Sequence, residues 1–188
     1  MNIMVVGVGG QGTLLTSRII GKTALSSGFD VKLSEVHGMA QRGGSVVTFV
    51  RFDERVYEPV VEEGSVDVLI SFERLEALRY AHFLSRDGVL IVNDARIDPM
   101  TVVIGAASYP ENILEELKRE HKVYSIDAAS IAKSLGNSKV LNTVVLGLAA
   151  RYIGFSMEQW LEVLCRTVPE KTVEINRLAF KAGYDSVQ

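Results

Sequence analysis

The chain has 188 residues, a formal net charge of −3, 47% hydrophobic and 23% charged residues. That length favours a single domain over 1–188 with enough apolar material for a sizeable core. The near-neutral balance gives no electrostatic case for nucleic acid or an anionic membrane, and the one cysteine, Cys165, excludes an internal disulfide and a four-thiolate metal or iron–sulfur site.

Met1 to Val6 carries no basic leader and no small-residue cleavage site, so it is expected to be a first strand. Ile3 to Val6 stops at Gly7 and has the look of a buried parallel strand. Helical spacing runs through Leu14, Leu15, Arg18, Ile19, Lys22 and Thr23 up to Gly28. Asp30 to Glu35 is expected as a second strand. These pieces predict a right-handed β–turn–α–β unit with a parallel pair. Further strands are expected at Ser45 to Phe52, Val66 to Ser71, Val89 to Asn93 and, weakly, Val102 to Ala106. A helix is expected around Glu73 to Leu84, and another starting near Pro110 and running through Ile113 to Glu120. Val123 to Ile126 is expected as a strand, with Asp127 capping the next helix. From Val140 the pattern is helical: Val140 to Ile153, Ser156 to Cys165 with a Ser156/Gln159 capping box, and Glu170 to Lys181. The apolar run Val144 to Ala150 is too short to span a bilayer and is expected as a buried helix. Strands alternating with helices, then helices alone, predict an α/β fold. Its expected form is a single doubly wound, mostly parallel, Rossmann-like sheet with a helical C-terminal layer.

Gly7-Val8-Gly9-Gly10-Gln11-Gly12 matches G-x-G-x-x-G, with a strand before it and a helix after. Glycines let the chain turn sharply and bring N–H groups to an anion at the positive end of a helix. A first strand in an α/β fold needs a tight turn whether or not it holds a ligand. A dinucleotide site also wants an acidic residue about 20 positions on, and Glu35, 23 residues after Gly12, satisfies the spacing. Gly21-Lys22-Thr23 is not the end of a P-loop, because Thr16 stands where the leading glycine belongs.

Glu35-Val36-His37-Gly38-Met39-Ala40-Gln41-Arg42-Gly43-Gly44 gathers a carboxylate, an imidazole, an amide and a guanidinium at the carboxyl end of a strand, where open α/β sheets bind ligands. Gly38, Gly43 and Gly44 admit positive φ there, and Arg42 suits a two-pronged bond to a carboxylate or phosphate. A plain surface turn accounts for the same residues. Elsewhere the chemistry is thin. His37, His82 and His121 have no metal-ligand spacing, Ser45 is not in a hydrolase elbow, and the charges of 115–122 belong to a solvated helix face. Trp160, Leu161 and Leu164 are expected as packing.

The two hallmark segments resemble the gamma-subunit family of 2-oxoacid:ferredoxin oxidoreductases. The His-Gly-Met-Ala-Gln-Arg-Gly-Gly form is similar to its indolepyruvate branch, in which the small chain is the beta subunit. Asn142 to Gly147, and Pro169-Glu170-Lys171 through Asn176, Ala179-Phe180 and Gly183, resemble two later family segments, so the likeness spans nearly the whole chain. The resemblance implies oxidative decarboxylation of an aryl pyruvate with coenzyme A, reducing ferredoxin. It places thiamine diphosphate, magnesium and iron–sulfur clusters on a large alpha subunit, and none on this chain alone. Gly7, Gly9, Gly10, Gln11, Gly12, His37, Gly38, Gln41, Arg42, Gly43 and Gly44 are the expected ligand or interface residues, with no catalytic residue assigned. The only Asp-Gly, Asp87-Gly88, lacks the preceding glycine of a thiamine motif. A cytoplasmic protein without membrane or nucleic-acid partners is expected, and exposed partner-facing apolar surface would let the isolated chain form a homodimer. On the residues alone, a self-sufficient NAD(P)-binding dehydrogenase and a non-catalytic nucleotide-binding or scaffold module stay open.

Overall fold

A computed structural model describes residues 1–38 and 43–187. Among these, β1 (Asn2–Val8) leads through the glycine-rich turn into α1 (Thr13–Ser26), then β2 (Asp30–His37), β3 (Ser45–Asp53) and β4 (Val66–Ser71). There follow α2 (Arg74–Tyr80), β5 (Leu84–Asn93), the short α3 (Met100–Val103), α4 (Ile113–Glu120) and β6 (Lys122–Ile126). The chain closes with α5 (Ala128–Ser134), α6 (Leu141–Ala150), α7 (Met157–Thr167) and α8 (Val173–Tyr184). The expected α/β fold with a mostly parallel sheet and a helical C-terminal layer is present.

The strands form one six-stranded sheet in the order β2-β3-β1-β4-β5-β6. β1 pairs parallel with β4, β4 with β5, and β5 with β6, while β3 runs antiparallel to both β1 and β2. The expected β1–β2 parallel pair is therefore corrected, because β3 is inserted between them. The link from His37 to Ser45 is too short for a parallel crossover, which needs about a dozen residues or more, so β2 and β3 must form a hairpin.

Alternation along the strands divides the core. Ile3, Val5, Val50, Val68, Ile70 and Ile91 face one side, under α1 and α5 to α8. Met4, Val6, Val47, Leu69, Leu90 and Val92 face the other, under α2 and α4. On the first side Trp160 is fully buried against Phe155 and Phe180, with ring centroids 5.6 and 6.0 Å away. α6 and α8 cross there with their backbones touching: a Cβ on Gly147 would lie 2.0 Å from the Phe180 carbonyl oxygen, and one on Gly183 would lie 1.9 Å from that of Val144. The late helices are thus clamped to the sheet by close packing.

Several local expectations change. The helix expected around Glu73 to Leu84 stops at Tyr80, passes through a single 3₁₀ turn at Ala81–Phe83, and β5 begins at Leu84. Val102 to Ala106 is no strand. α3 and the turn after it satisfy their backbone locally, Val102 donating to Pro99 and Ile104 to Met100. Pro110 precedes α4 without starting it; the N-cap is Asn112 at φ 56°. The expected caps are present: Asp127 accepts from the Ser130 amide at 2.9 Å, and Ser156 and Gln159 form the capping box.

Candidate functional site

The glycine-rich turn lies at the carboxyl edge of the sheet. Gln11 is its keystone. Its side-chain oxygen accepts from the Val8 amide at 2.7 Å, and its side-chain nitrogen donates to the Phe72 carbonyl at 3.0 Å, tying the turn to the end of β4. A Cβ on Gly7 would meet the Gln11 side chain at 2.9 Å and Phe72 at 3.1 Å, so glycine is required there for close approach. Gly10 and Gly12 take φ of 103° and 86°. Gly9 does not take a positive φ; its amide donates to the Gly44 carbonyl at 2.8 Å, joining the turn to the returning second loop. The Gln11 amide is likewise spent on Val8. Of the four amides from 9 to 12, only those of Gly10 and Gly12 have no backbone partner among the described residues.

Gly12 caps α1 without any side-chain hydrogen bond, and the first turn of α1 carries no acidic residue. The positive end of this 14-residue helix is therefore not compensated by its own cap or first turn, an arrangement that suits an anion. Asn142 of α6 packs behind it. The Asn142 side-chain nitrogen would lie 2.8 Å from a Cβ on Gly12, which links the expected Asn-containing helix to the turn.

In front of the turn is a cleft of about 410 Å³ lined by Gly9, Gly10, Gly12, Thr13, Leu14, Glu35, His37 and Val46, within the size range of small-ligand sites. β2 and the start of β3 supply its far wall, so the hairpin brings the second predicted segment against the first. Glu35 and His37 are exposed there. The Glu35 carboxylate accepts a long hydrogen bond from Thr48, 3.4 Å, and His37 Nδ1 lies 3.0 Å from the Gly38 carbonyl. Gly43 takes φ of 79°, whereas Gly38 and Gly44 do not use the left-handed region. Gln41 and Arg42 lie outside the described residues. A dinucleotide reading is weakened, because it needs the acidic residue on the strand next to β1, and Glu35 stands beyond β3.

Behind the loop's return, Glu73, Glu76 and Tyr109 form a polar group that sequence reasoning missed. Glu73, 1% exposed, caps α2 and accepts from the amides of Glu76 and Ile97 and from the Tyr109 hydroxyl at 2.5 Å. Burial and the Glu73 carboxylate push the Tyr109 phenol above its usual range. Glu76 accepts from the Ser45 hydroxyl at 2.5 Å and pairs with Arg79 at 3.3 Å. Burial raises its carboxyl above the ordinary value, partly opposed by Ser45 and Arg79 and reinforced by Glu73. Glu73 and Glu76 sit in an ordinary helix start, and only the strand order reveals that Ser45 and Tyr109 meet them. Asn93 is a brace: it donates to the Phe72 carbonyl and accepts from the Ala128 amide, both at 3.1 Å. Asp94 pairs with Arg74.

A thiamine–magnesium or cluster site does not fit this donor set. Among the described residues no group of three or more His, Cys, Asp and Glu is placed to hold a metal ion, and Cys165 stands alone.

The family pattern of pyruvate ferredoxin/flavodoxin oxidoreductase matches residues 2–186. This chain belongs to that family. It is 42% identical to indolepyruvate oxidoreductase subunit IorB of Thermococcus kodakarensis, over 97% of this chain and 93% of that one. With IorB of Archaeoglobus fulgidus the identity is 43%, over 98% and 94%. The crystal structure of a keto/oxoacid ferredoxin oxidoreductase gamma subunit from Geobacter sulfurreducens superposes with a TM-score of 0.73 at 26% identity, covering 98% of this chain and 96% of that one. The family resemblance carried by the two hallmark segments is borne out, as is its indolepyruvate branch. Among the described residues no helix is long and apolar enough to cross a membrane.

Proposed function

We propose that this chain is the small subunit of an indolepyruvate-type 2-oxoacid:ferredoxin oxidoreductase, with 1–188 acting as one domain in the cytoplasm. The complex converts an aryl pyruvate and coenzyme A to an aryl-acetyl-CoA and carbon dioxide, passing electrons to ferredoxin. Thiamine diphosphate with magnesium supplies the carbanion chemistry, and iron–sulfur clusters carry the electrons, on the large alpha subunit. The single observation that carries the reading is the 42–43% identity to relatives named IorB along almost the whole of both chains.

The geometry supports a binding and shaping role for the small subunit. The start of α1, with no side-chain cap and with the amides of Gly10 and Gly12 lacking a backbone partner among the described residues, suits a phosphate or carboxylate. The rest of the expected set (Gly7, Gly9, Gln11, His37, Gly38, Gln41, Arg42, Gly43 and Gly44) is proposed to shape that edge against the alpha subunit and the coenzyme A path. The test is reconstitution. Purified with its large subunit, the chain should support aryl-pyruvate- and coenzyme-A-dependent ferredoxin reduction, and purified alone it should support none. Oxidation of a substrate by the isolated chain, or saturable NAD(P) binding to it, overturns the proposal. For the loop, Arg42→Ala in the complex should lower kcat/KM for the 2-oxoacid or for coenzyme A; unchanged constants for both would remove Arg42 from the site.

A further inference from the structure

From the cleft at the glycine-rich turn, a second groove continues down the same face between α1 and β2. Its floor is Gly21, Leu25, Val31 and Leu33, and its rim is Arg18 and Lys22, one helical turn apart, around a volume of about 260 Å³. Leu25 is 63% and Leu33 39% exposed. β2 is the end strand of the sheet, paired only with β3, so its outward amides and carbonyls have no strand partner among the described residues. On its other face Val36 is 56% exposed. An edge strand with apolar side chains open on both faces invites pairing and aggregation unless another chain covers it.

The charges choose the occupant. Arg18 and Lys22 are exposed, and among the described residues neither pairs with a carboxylate. Lys22 donates to the Thr167 hydroxyl at 3.4 Å. A second copy docked groove to groove would bring little to balance them. α1 has no acidic residue, and β2 places only Glu35 on the groove side, because Asp30 lies on the opposite register and is held by Lys32. An acidic, apolar segment of another protein would neutralise both cations and cover Leu25 and Leu33.

We infer that β2 is extended in the complex by an added strand from the large partner subunit, whose groove-facing side chains are apolar over Leu25 and Leu33 and acidic against Arg18 and Lys22. The added strand supplies main-chain hydrogen bonds along β2, and the alternate side chains supply specificity. This inference rests on the proposed heteromeric complex and names where that complex is held.

The experiment uses the chain purified alone and with its large subunit. Hydrogen exchange of the β2 amides should slow several-fold or more on assembly. The double variant Arg18→Glu/Lys22→Glu should weaken association by about tenfold or more, with association in the parent falling as salt rises. Leu33→Lys should also weaken assembly while circular dichroism of the isolated chain stays unchanged. If the complex forms with parental affinity in the double variant and the β2 amides exchange as in the free chain, the groove is not the docking surface, although the complex stands. A homodimer of the isolated chain that protects β2 and is dispersed by Leu33→Lys would replace the partner strand with a second copy and overturn the assignment. Failure of the parent chain to associate with the large subunit at all would defeat the complex itself, and this inference with it.

Discussion

The glycines at the α6–α8 crossing and the glycines of the Gly7–Gly12 turn have different neighbours. At the crossing, Gly147 and Gly183 press backbone against backbone, so that a Cβ added to either would lie about 2 Å from a carbonyl oxygen of the facing helix. In the turn, Gly10 has nothing within 4 Å of such a Cβ among the described residues, and glycine suits its φ of 103°. Gly12 is intermediate, with φ of 86° and the Asn142 side chain at 2.8 Å. One region uses glycine to remove space. The other needs Gly7 for the close approach of Gln11 and Phe72, but uses Gly10 and Gly12 to hold a backbone shape in front of an open cleft. Stability should therefore be concentrated at the crossing and ligand or partner contact at the turn.

The comparison can be broken most directly by Gly147→Ala or Gly183→Ala. Neither carbonyl belongs to a flexible side chain, so the helices must separate, at a cost of about 3 kcal/mol or more. Urea unfolding measures it, and a loss below about 1 kcal/mol would show the crossing to be pliable. Gly12→Ala should cost about 2 kcal/mol from the left-handed φ and the push on Asn142 combined. In an Asn142→Ala background the same substitution should cost less, and equal costs in the two backgrounds would remove Asn142 from the account. Gly10→Ala should cost about 1 kcal/mol from strain alone. A larger loss would mean that Gly10 also packs.

The smallest expected effect is a pH dependence beside the turn. Burial raises the Glu76 carboxyl in the folded chain, so the native state holds this proton more tightly than the unfolded state does. Its contribution is most favourable at low pH. It declines as pH rises from the ordinary carboxylate range through the raised native value. Glu76→Gln should flatten that decline while keeping a hydrogen-bonding partner for Ser45. Parallel urea midpoints for parent and variant across a pH series would show that Glu76 does not titrate in this way.

Most elements were legible in order because each is short and strongly patterned: buried runs for β1, β4 and the end of β5, and amphipathic spacing for α4, α7 and α8. The hairpin of β2 and β3 was also legible in principle, from the short link between His37 and Ser45. The Gly-x-Gly pattern misled by inviting a parallel neighbour for β1. Within the site, the motif marked the turn but not how its amides are used. Gln11 is spent on Val8 within the turn, and Gly9 on Gly44, a contact that depends on β3 being paired beside β1.

By itself, the order of residues determined the α/β class, the caps at Asp127 and Ser156, the two hallmark segments and the family they belong to. These follow from local propensity, periodicity and motif, each set within a few residues. Tertiary structure alone decided that β3 separates β1 from β2, that Glu35 faces the turn across a cleft, that Tyr109 reaches Glu73, and that Arg18 and Lys22 flank an open edge strand. Such placements depend on which strands pair and which helices cover them, and that balance of burial and hydrogen bonding is struck across the whole sheet.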